Sequence, residues 1–204
     1  MSERKALLIL HGKQAMNEVL RTAVYAKREQ GWEIAVRVTW EAGDAQRLAR
    51  EALAEGYPTL IAGGGDGTLR AVAEVIALSD SDASLLLLGL GTANDFATAA
   101  SVPVDLNEAL DLLDIEPTAI DLGEVNGQLF LNMATGGFGT SVTTNTPEDL
   151  KKLLGGAAYF LTGLSRFAEV HSAFGRFKGP DFSWEGEFLA LGIGNGSQAG
   201  GGHV

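Results

Sequence analysis

Short, largely apolar runs alternate along the first half of the chain with longer stretches in which apolar residues recur every three or four positions. The short runs are Ala6–Leu10, Ile34–Val38, Thr59–Ala62 and Leu85–Leu88. They lack the two-residue alternation of a half-exposed strand, which suits a parallel sheet covered by helices on both faces. Between them, Met16, Leu20, Ala23 and Val24, then Leu48, Ala52 and Leu53, then Leu69, Val72, Ala73 and Ile76 fall on helix faces. The punctuation agrees. Gly31 sits where a C-terminal cap belongs, Asp44 reads as an N-cap, and Gly56 with Pro58 closes the second helix. Asp105 followed by Glu108 predicts a capped start for a helix burying Leu106, Ala109, Leu110 and Leu113. The class is α/β, with strand and helix alternating.

Beyond Pro117 the rhythm changes. Ile120–Val125 and Gln128–Met133 flank Asn126-Gly127, the strongest short signal for a type I′ hairpin turn. Thr146-Pro147-Glu148-Asp149 predicts a helix start, with Leu150, Leu153, Leu154, Leu161 and Leu164 as its apolar face. Phe160 and Phe167 fit the same core face. Phe182–Ile193 reads as further strand. We therefore expect a first domain over residues 1–118 and a β-rich second domain over 119–204. The second has too few strands to close its own sheet, so the chain reads as the front part of a longer protein.

Two glycine clusters interrupt this pattern at predicted strand ends, Gly63-Gly64-Gly65-Asp66-Gly67 and Gly89-Leu90-Gly91-Thr92. Glycine costs about 0.5–1 kcal/mol relative to alanine within regular structure, so each cluster needs a reason. Ligands of open parallel sheets collect at the carboxyl ends of the strands, where bare backbone and a helix N-terminus can receive a phosphate. Thr68 adds a hydroxyl, and Asp66 fits such a site if Mg²⁺ or water lies between it and the phosphate. The plain alternative is a tight turn with Asp66 as helix cap. Neither the dinucleotide fingerprint nor the P-loop is present: Gly63-x-Gly65-x-x-Thr68 lacks the third glycine, and Gly12-Lys13-Gln14 lacks the flanking residues.

Composition narrows the ligand. The 204 residues carry a net charge of −11 and no basic run, which argues against a nucleic-acid partner. An anion remains admissible if backbone N–H groups or a metal ion neutralise it locally. Cysteine is absent, which excludes disulfides and thiolate metal sites. No run approaches the ~18 apolar residues of a membrane span, and a cytoplasmic protein that meets membranes transiently is expected. His11, His171 and His203 have no metal-ligand spacing, so no metal ligand is assigned. Trp32, Trp40 and Trp184 read as packing residues, while Lys13 and Arg37 lie near predicted strand ends where phosphate contact is open to them.

GGGDGT at Gly63–Thr68, GTANDFA at Gly91–Ala97 and NMATGGFGT at Asn132–Thr140 together resemble the diacylglycerol-kinase-like catalytic domain, in particular bacterial lipid kinases of the YegS type. VRVTWEAGDA, with Thr39 near its start, adds to the likeness. The resemblance implies a Rossmann-like domain of the phosphofructokinase and NAD-kinase kind, followed by a β-sandwich domain that is incomplete here. It implies transfer of the γ-phosphoryl group of ATP, with Mg²⁺, to the hydroxyl of a lipid such as diacylglycerol or phosphatidylglycerol at a membrane surface. Thr39, Gly64, Gly65, Asp66, Gly67, Thr68 and Thr92 are the implied nucleotide contacts. Asn94 and Asp95 join them, although an Asn-Asp pair serves equally as a helix cap. The general base is implied beyond Val204, so no catalytic residue is assigned, and a homodimer is entertained. Two departures bear on detail: Leu69-Arg70-Ala71 replaces the usual Asn-Glu continuation, and Gly89 stands where relatives carry proline. The lost Asn-Glu keeps a non-catalytic nucleotide- or lipid-binding protein as an alternative, and the shared GGDGT keeps an NAD or sugar kinase as another.

Overall fold

The computed structural model describes residues 4–137 and 172–196. The chain forms two compact units, one running to Asn132 and resuming at Asn195, the other Met133–Gly194.

The first unit holds β1 (Lys5–Leu10), α1 (Glu18–Glu29), β2 (Glu33–Val38), α2 (Asp44–Ala54), β3 (Thr59–Gly64), α3 (Asp66–Ala77), β4 (Ser84–Gly89), α4 (Asp95–Ala99), α5 (Leu106–Asp111), β5 (Gly123–Val125) and β6 (Gln128–Phe130). The first four strands make one parallel sheet in the order β2-β1-β3-β4. The runs of β1, β3 and β4 behave as a doubly covered sheet requires, whereas the edge strand β2 leaves Val36 and Val38 exposed. Leu7, Ile9, Leu60, Ala62 and Leu87 point into one core with Leu48, Ala52, Leu69 and Val72 of α2 and α3. Ala6, Leu8, Leu10, Ile61, Leu86 and Leu88 point into the other with Leu20, Ala23 and Val24 of α1 and Ala109 and Leu110 of α5. Full burial of each such Leu or Ile is worth about 1.5–3 kcal/mol, so the central strands anchor the sheet whose ends carry the loops.

Several local expectations hold, and others need amendment. Asp105 accepts from the backbone N–H of Asn107 (2.9 Å) and Glu108 (3.1 Å), as a cap should. Gly31 adopts φ 94°, and Asn126 and Gly127 adopt φ 52° and 76°, matching a type I′ turn between β5 and β6. Met16, however, precedes α1 and is exposed. Asp44 is the first residue of α2 and not its cap: Gly43, at φ 90°, takes the cap position. The Asp44 carboxylate turns back to accept from the N–H of Trp40 (2.7 Å) and Glu41 (3.1 Å) and pairs with Arg47 (2.6 Å). It thereby fixes the loop that comes after β2.

The hairpin β5–β6 belongs to the first unit. Leu131 is buried in the α2–α3 core and Leu122 packs against it, while Arg70 of α3 donates to the Leu129 carbonyl (3.3 Å). On the opposite face the Lys27 side chain, 2% exposed, reaches Asp111 (2.7 Å) and Asp114 (2.6 Å), and Asp114 also accepts from Trp32 Nε1 (3.0 Å). Burial pulls the Lys27 ammonium down, but the paired carboxylates outweigh it and leave the group above its ordinary value.

In the second unit β7 (Met133–Gly137) pairs antiparallel with β10 (Ala190–Gly194), and β8 (Ala173–Gly179) with β9 (Phe182–Phe188). Phe177 stacks on Trp184 (5.4 Å between ring centroids) and meets Phe188 edge-on (5.7 Å). The strand expected over Phe182–Ile193 is thus two, β9 and β10. The helix expected from Thr146, with Phe160 and Phe167 on its face, lies outside the described residues, as do His171 and His203.

The Arg47 guanidinium, helped by the Trp40 and Glu41 amides, holds the Asp44 carboxyl at about 2 against an ordinary 3.8. A carboxyl lowered on folding stabilises fully above its unfolded value, and that stabilisation fades as pH falls from about 4 towards 2. Asp44→Asn should therefore flatten the fall of melting temperature between pH 4 and 2 relative to wild type, measured by circular dichroism. Parallel curves would show that the carboxylate contributes nothing.

Candidate functional site

The parallel sheet sends the loops after β1, β2, β3 and β4 to one end, and backbone bonds stitch these loops together. His11 N–H donates to the Gly63 carbonyl (2.8 Å) and Leu90 N–H to that of Gly64 (2.8 Å). Gly12 N–H donates to Thr39 Oγ1 (3.2 Å), and Gln14 Nε2 to the Leu90 carbonyl (2.8 Å). Thr39 is thus brought to the same end as the glycine clusters, holding the loop after β1 in place.

The two glycine clusters touch. A Cβ on Gly91 would come 2.5 Å from Gly65 Cα and 2.9 Å from Asn94 Oδ1, and one on Gly65 would lie 3.2 Å from Gly91 Cα. A Cβ on Gly64 would strike the side chain of Thr68. These glycines are required by close contact. Gly67 differs. It lies in the first turn of α3, is exposed, has no positive φ, and a Cβ there would meet nothing within 4 Å. Packing gives no reason for its missing side chain.

Asp66 neither caps α3 nor stands free. Its Oδ2 accepts from Asp95 N–H (3.1 Å) and its Oδ1 from Phe96 N–H (3.1 Å). It therefore caps the neighbouring α4, an arrangement in which a carboxylate meets the positive end of the helix. Asn132 Nδ2 donates to the same Oδ1 (3.3 Å). Asn94, at φ 52°, folds the second loop onto itself: its Oδ1 accepts from Gly91 N–H (2.9 Å) and its Nδ2 donates to the carbonyls of Gly89 (3.2 Å) and Gly91 (3.0 Å). Although Asn94 holds the cap position of α4, its side chain does not cap that helix. Thr68 and Asp95 are buried, and Thr92 is exposed at the rim.

Of the cations near the strand ends, Arg70 is exposed with one donor on the Leu129 carbonyl, and Arg37 pairs with Glu51 of α2 (3.6 Å) and Glu55 just past its end (2.6 Å). Lys13 is exposed in the loop after β1. Among the described residues no group of three His, Asp or Glu is placed to hold a metal ion. The role of Gln14 in joining the loops has no sequence signal. Asn132 opens the NMATGGFGT motif, but nothing in that motif points back to Asp66.

A doubly covered parallel sheet with apposed glycine loops at its carboxyl end is the architecture of α/β domains whose ligands collect at the strand ends. Residues 5–125 match the diacylglycerol kinase catalytic domain. A Pseudomonas aeruginosa PAO1 protein named "Probable lipid kinase YegS-like" is 70% identical over 204 residues, covering 100% of this chain and 68% of its own. A protein of the same name from Pseudomonas fluorescens Pf0-1 is 69% identical, with 100% and 67% covered. A crystal structure of a diacylglycerol kinase from Bacillus anthracis str. Sterne superposes with TM-score 0.77 at 25% identity, over 98% of this chain and 67% of that one. The chain belongs to the diacylglycerol kinase catalytic domain family of kinases, and spans about two thirds of the length of these relatives.

The glycine contacts predict opposite outcomes for two similar substitutions. Gly91→Ala forces backbone apart at Gly65 and should destabilise the fold by about 1–3 kcal/mol. Gly67→Ala enters open space in a helix and should be neutral or stabilise by about 0.5 kcal/mol. Urea denaturation of both variants decides; equal losses would mean that Gly67 is also a packing residue.

Proposed function

We propose that the protein is an ATP-dependent lipid kinase, transferring the γ-phosphoryl group to the hydroxyl of a lipid such as diacylglycerol or phosphatidylglycerol. The observation that carries this reading is the contact of Gly65 with Gly91 at the ends of adjacent parallel strands, with Gly67 left bare beside it. Together they offer backbone N–H groups and the positive end of α3 to a polyphosphate. The names of the Pseudomonas relatives supply the lipid acceptor.

In this reading Gly64, Gly65, Gly67 and Thr68 receive the phosphates from one side and Thr92 from the other. Asp66, Asn94 and Asp95 hold the two loops in register, and Thr39 supports the loop after β1. Mg²⁺ travels with the nucleotide, neutralising phosphate charge while keeping much of its water shell. In the transfer, a bond forms between the lipid oxygen and the γ-phosphorus, the bond to the bridging β–γ oxygen breaks, and ADP leaves. The hydroxyl proton goes to a base for which we assign no residue between Met1 and Val204. Acceptor recognition falls to the second unit, Met133–Gly194, and the additional length that the relatives carry. Among the described residues no helix is long and apolar enough to cross a membrane, and a cytoplasmic enzyme that visits the bilayer surface fits that.

The test is to incubate the full-length protein with γ-labelled ATP, Mg²⁺ and vesicles carrying diacylglycerol, phosphatidylglycerol or a sphingoid base, with NAD and a sugar as competing acceptors. Label is expected in one lipid spot on thin-layer plates, and Gly67→Ala should raise the KM for ATP about tenfold. Label in NAD or sugar, or none in any acceptor, would overturn the reading.

A further inference from the structure

Asn132 occupies a singular place in the first unit. It is the last residue before the chain departs into Met133–Gly194, and Asn195 is the first on return. Its backbone carbonyl accepts from the N–H groups of both Asn195 (2.8 Å) and Gly196 (3.0 Å). Asn195 locks this crossing further, its Nδ2 donating to the carbonyls of Asp121 (2.9 Å) and Leu131 (2.9 Å). The Asn132 side chain then reaches across to Asp66 Oδ1 at 3.3 Å.

The chemistry of that contact has one sense only. A carboxylate accepts, so the amide must present Nδ2 to Asp66; the flipped amide would set oxygen against oxygen. In this orientation Asn132 Oδ1 is buried and has no hydrogen-bond partner among the described residues. An orphaned acceptor is a cost that a side chain kept for packing would not carry. The cost is understandable if the amide is retained for the donor at its other end. That donor acts on the carboxylate whose two oxygens cap α4 through Asp95 and Phe96. Through α4 it sets the loop in which Gly91 meets Gly65.

We propose that Asn132 is a positioning residue: it orients the Asp66 carboxylate so that the second glycine loop is held against the first, and it does so from the point where the chain leaves and re-enters the first unit. The effect on catalysis rests on the proposed nucleotide binding; the effect on Asp66 does not.

Two variants of the full-length protein test it. Asn132→Leu keeps the branched outline and removes the donor. Asn132→Asp keeps the shape and sets a second carboxylate beside that of Asp66. Amide hydrogen exchange by NMR should show Asp95 and Phe96 exchanging about tenfold faster in Asn132→Leu, with the β1 and β3 amides unchanged. Asn132→Asp, though closer in shape, should be the worse of the two because like charges repel. In kinase assays the KM for ATP should rise about tenfold while kcat changes less than about twofold. Unchanged exchange at Asp95 and Phe96 in Asn132→Asp would overturn the proposal, even if Asn132→Leu failed to fold. A wild-type protein that does not bind ATP would instead sink the nucleotide reading, leaving the exchange result to decide for Asn132.

Discussion

The site depends on one steric fact, that two backbones meet where side chains normally intervene. Gly65 and Gly91 approach so closely that a single Cβ on either would have to displace main chain. Main chain at the tips of buried strands cannot yield cheaply, because the strands behind it are packed on both faces. The loops after β3 and β4 therefore behave as one rigid surface. Asp66 completes it electrostatically by offering both oxygens to the N-terminus of α4. A charged acceptor makes roughly twice the bond a neutral one would, which compensates for the short length of that helix.

Those strand tips are held by the two cores in turn. Leu7, Leu8 and Ile9 are fully buried, with alternate residues feeding opposite sides of the sheet. Each contributes about 1.5–3 kcal/mol, against about 0.5–1 kcal/mol for each glycine placed in regular structure. The glycine-rich end can be bare because the middle of the same strands is not. The bonds from His11 to Gly63 and from Leu90 to Gly64 extend the sheet's pairing beyond its last side chains.

Much of this was legible in the residues alone. The parallel sheet follows from four apolar runs with no alternation, and the hairpin from Asn126-Gly127, because both signals are local. The apposition of the two clusters follows once both are placed at strand ends of one parallel sheet. What sequence could not assign is which partner each polar side chain chooses. Asp44 reads as a cap, yet it serves the loop before it because Gly43 already supplies the left-handed turn. Asp66 reads as a cap for its own helix, yet it caps a helix some thirty residues on. Arg70 stays exposed on α3, and one of its donors goes to the β6 backbone. Such choices are set by distances across the fold, and no spacing along the chain encodes them.

The Lys27 cluster bears on how this chain acquires its shape. The ammonium is buried at one end of α1, but its two carboxylates lie 84 and 87 positions downstream. Until that later segment has left the ribosome, the cation has no counter-ion and the apolar stripe of α1 no α5 to lie against. Burying it unpaired would be strongly unfavourable. One ion cluster thereby ties the seating of the first helix to carboxylates more than eighty residues away.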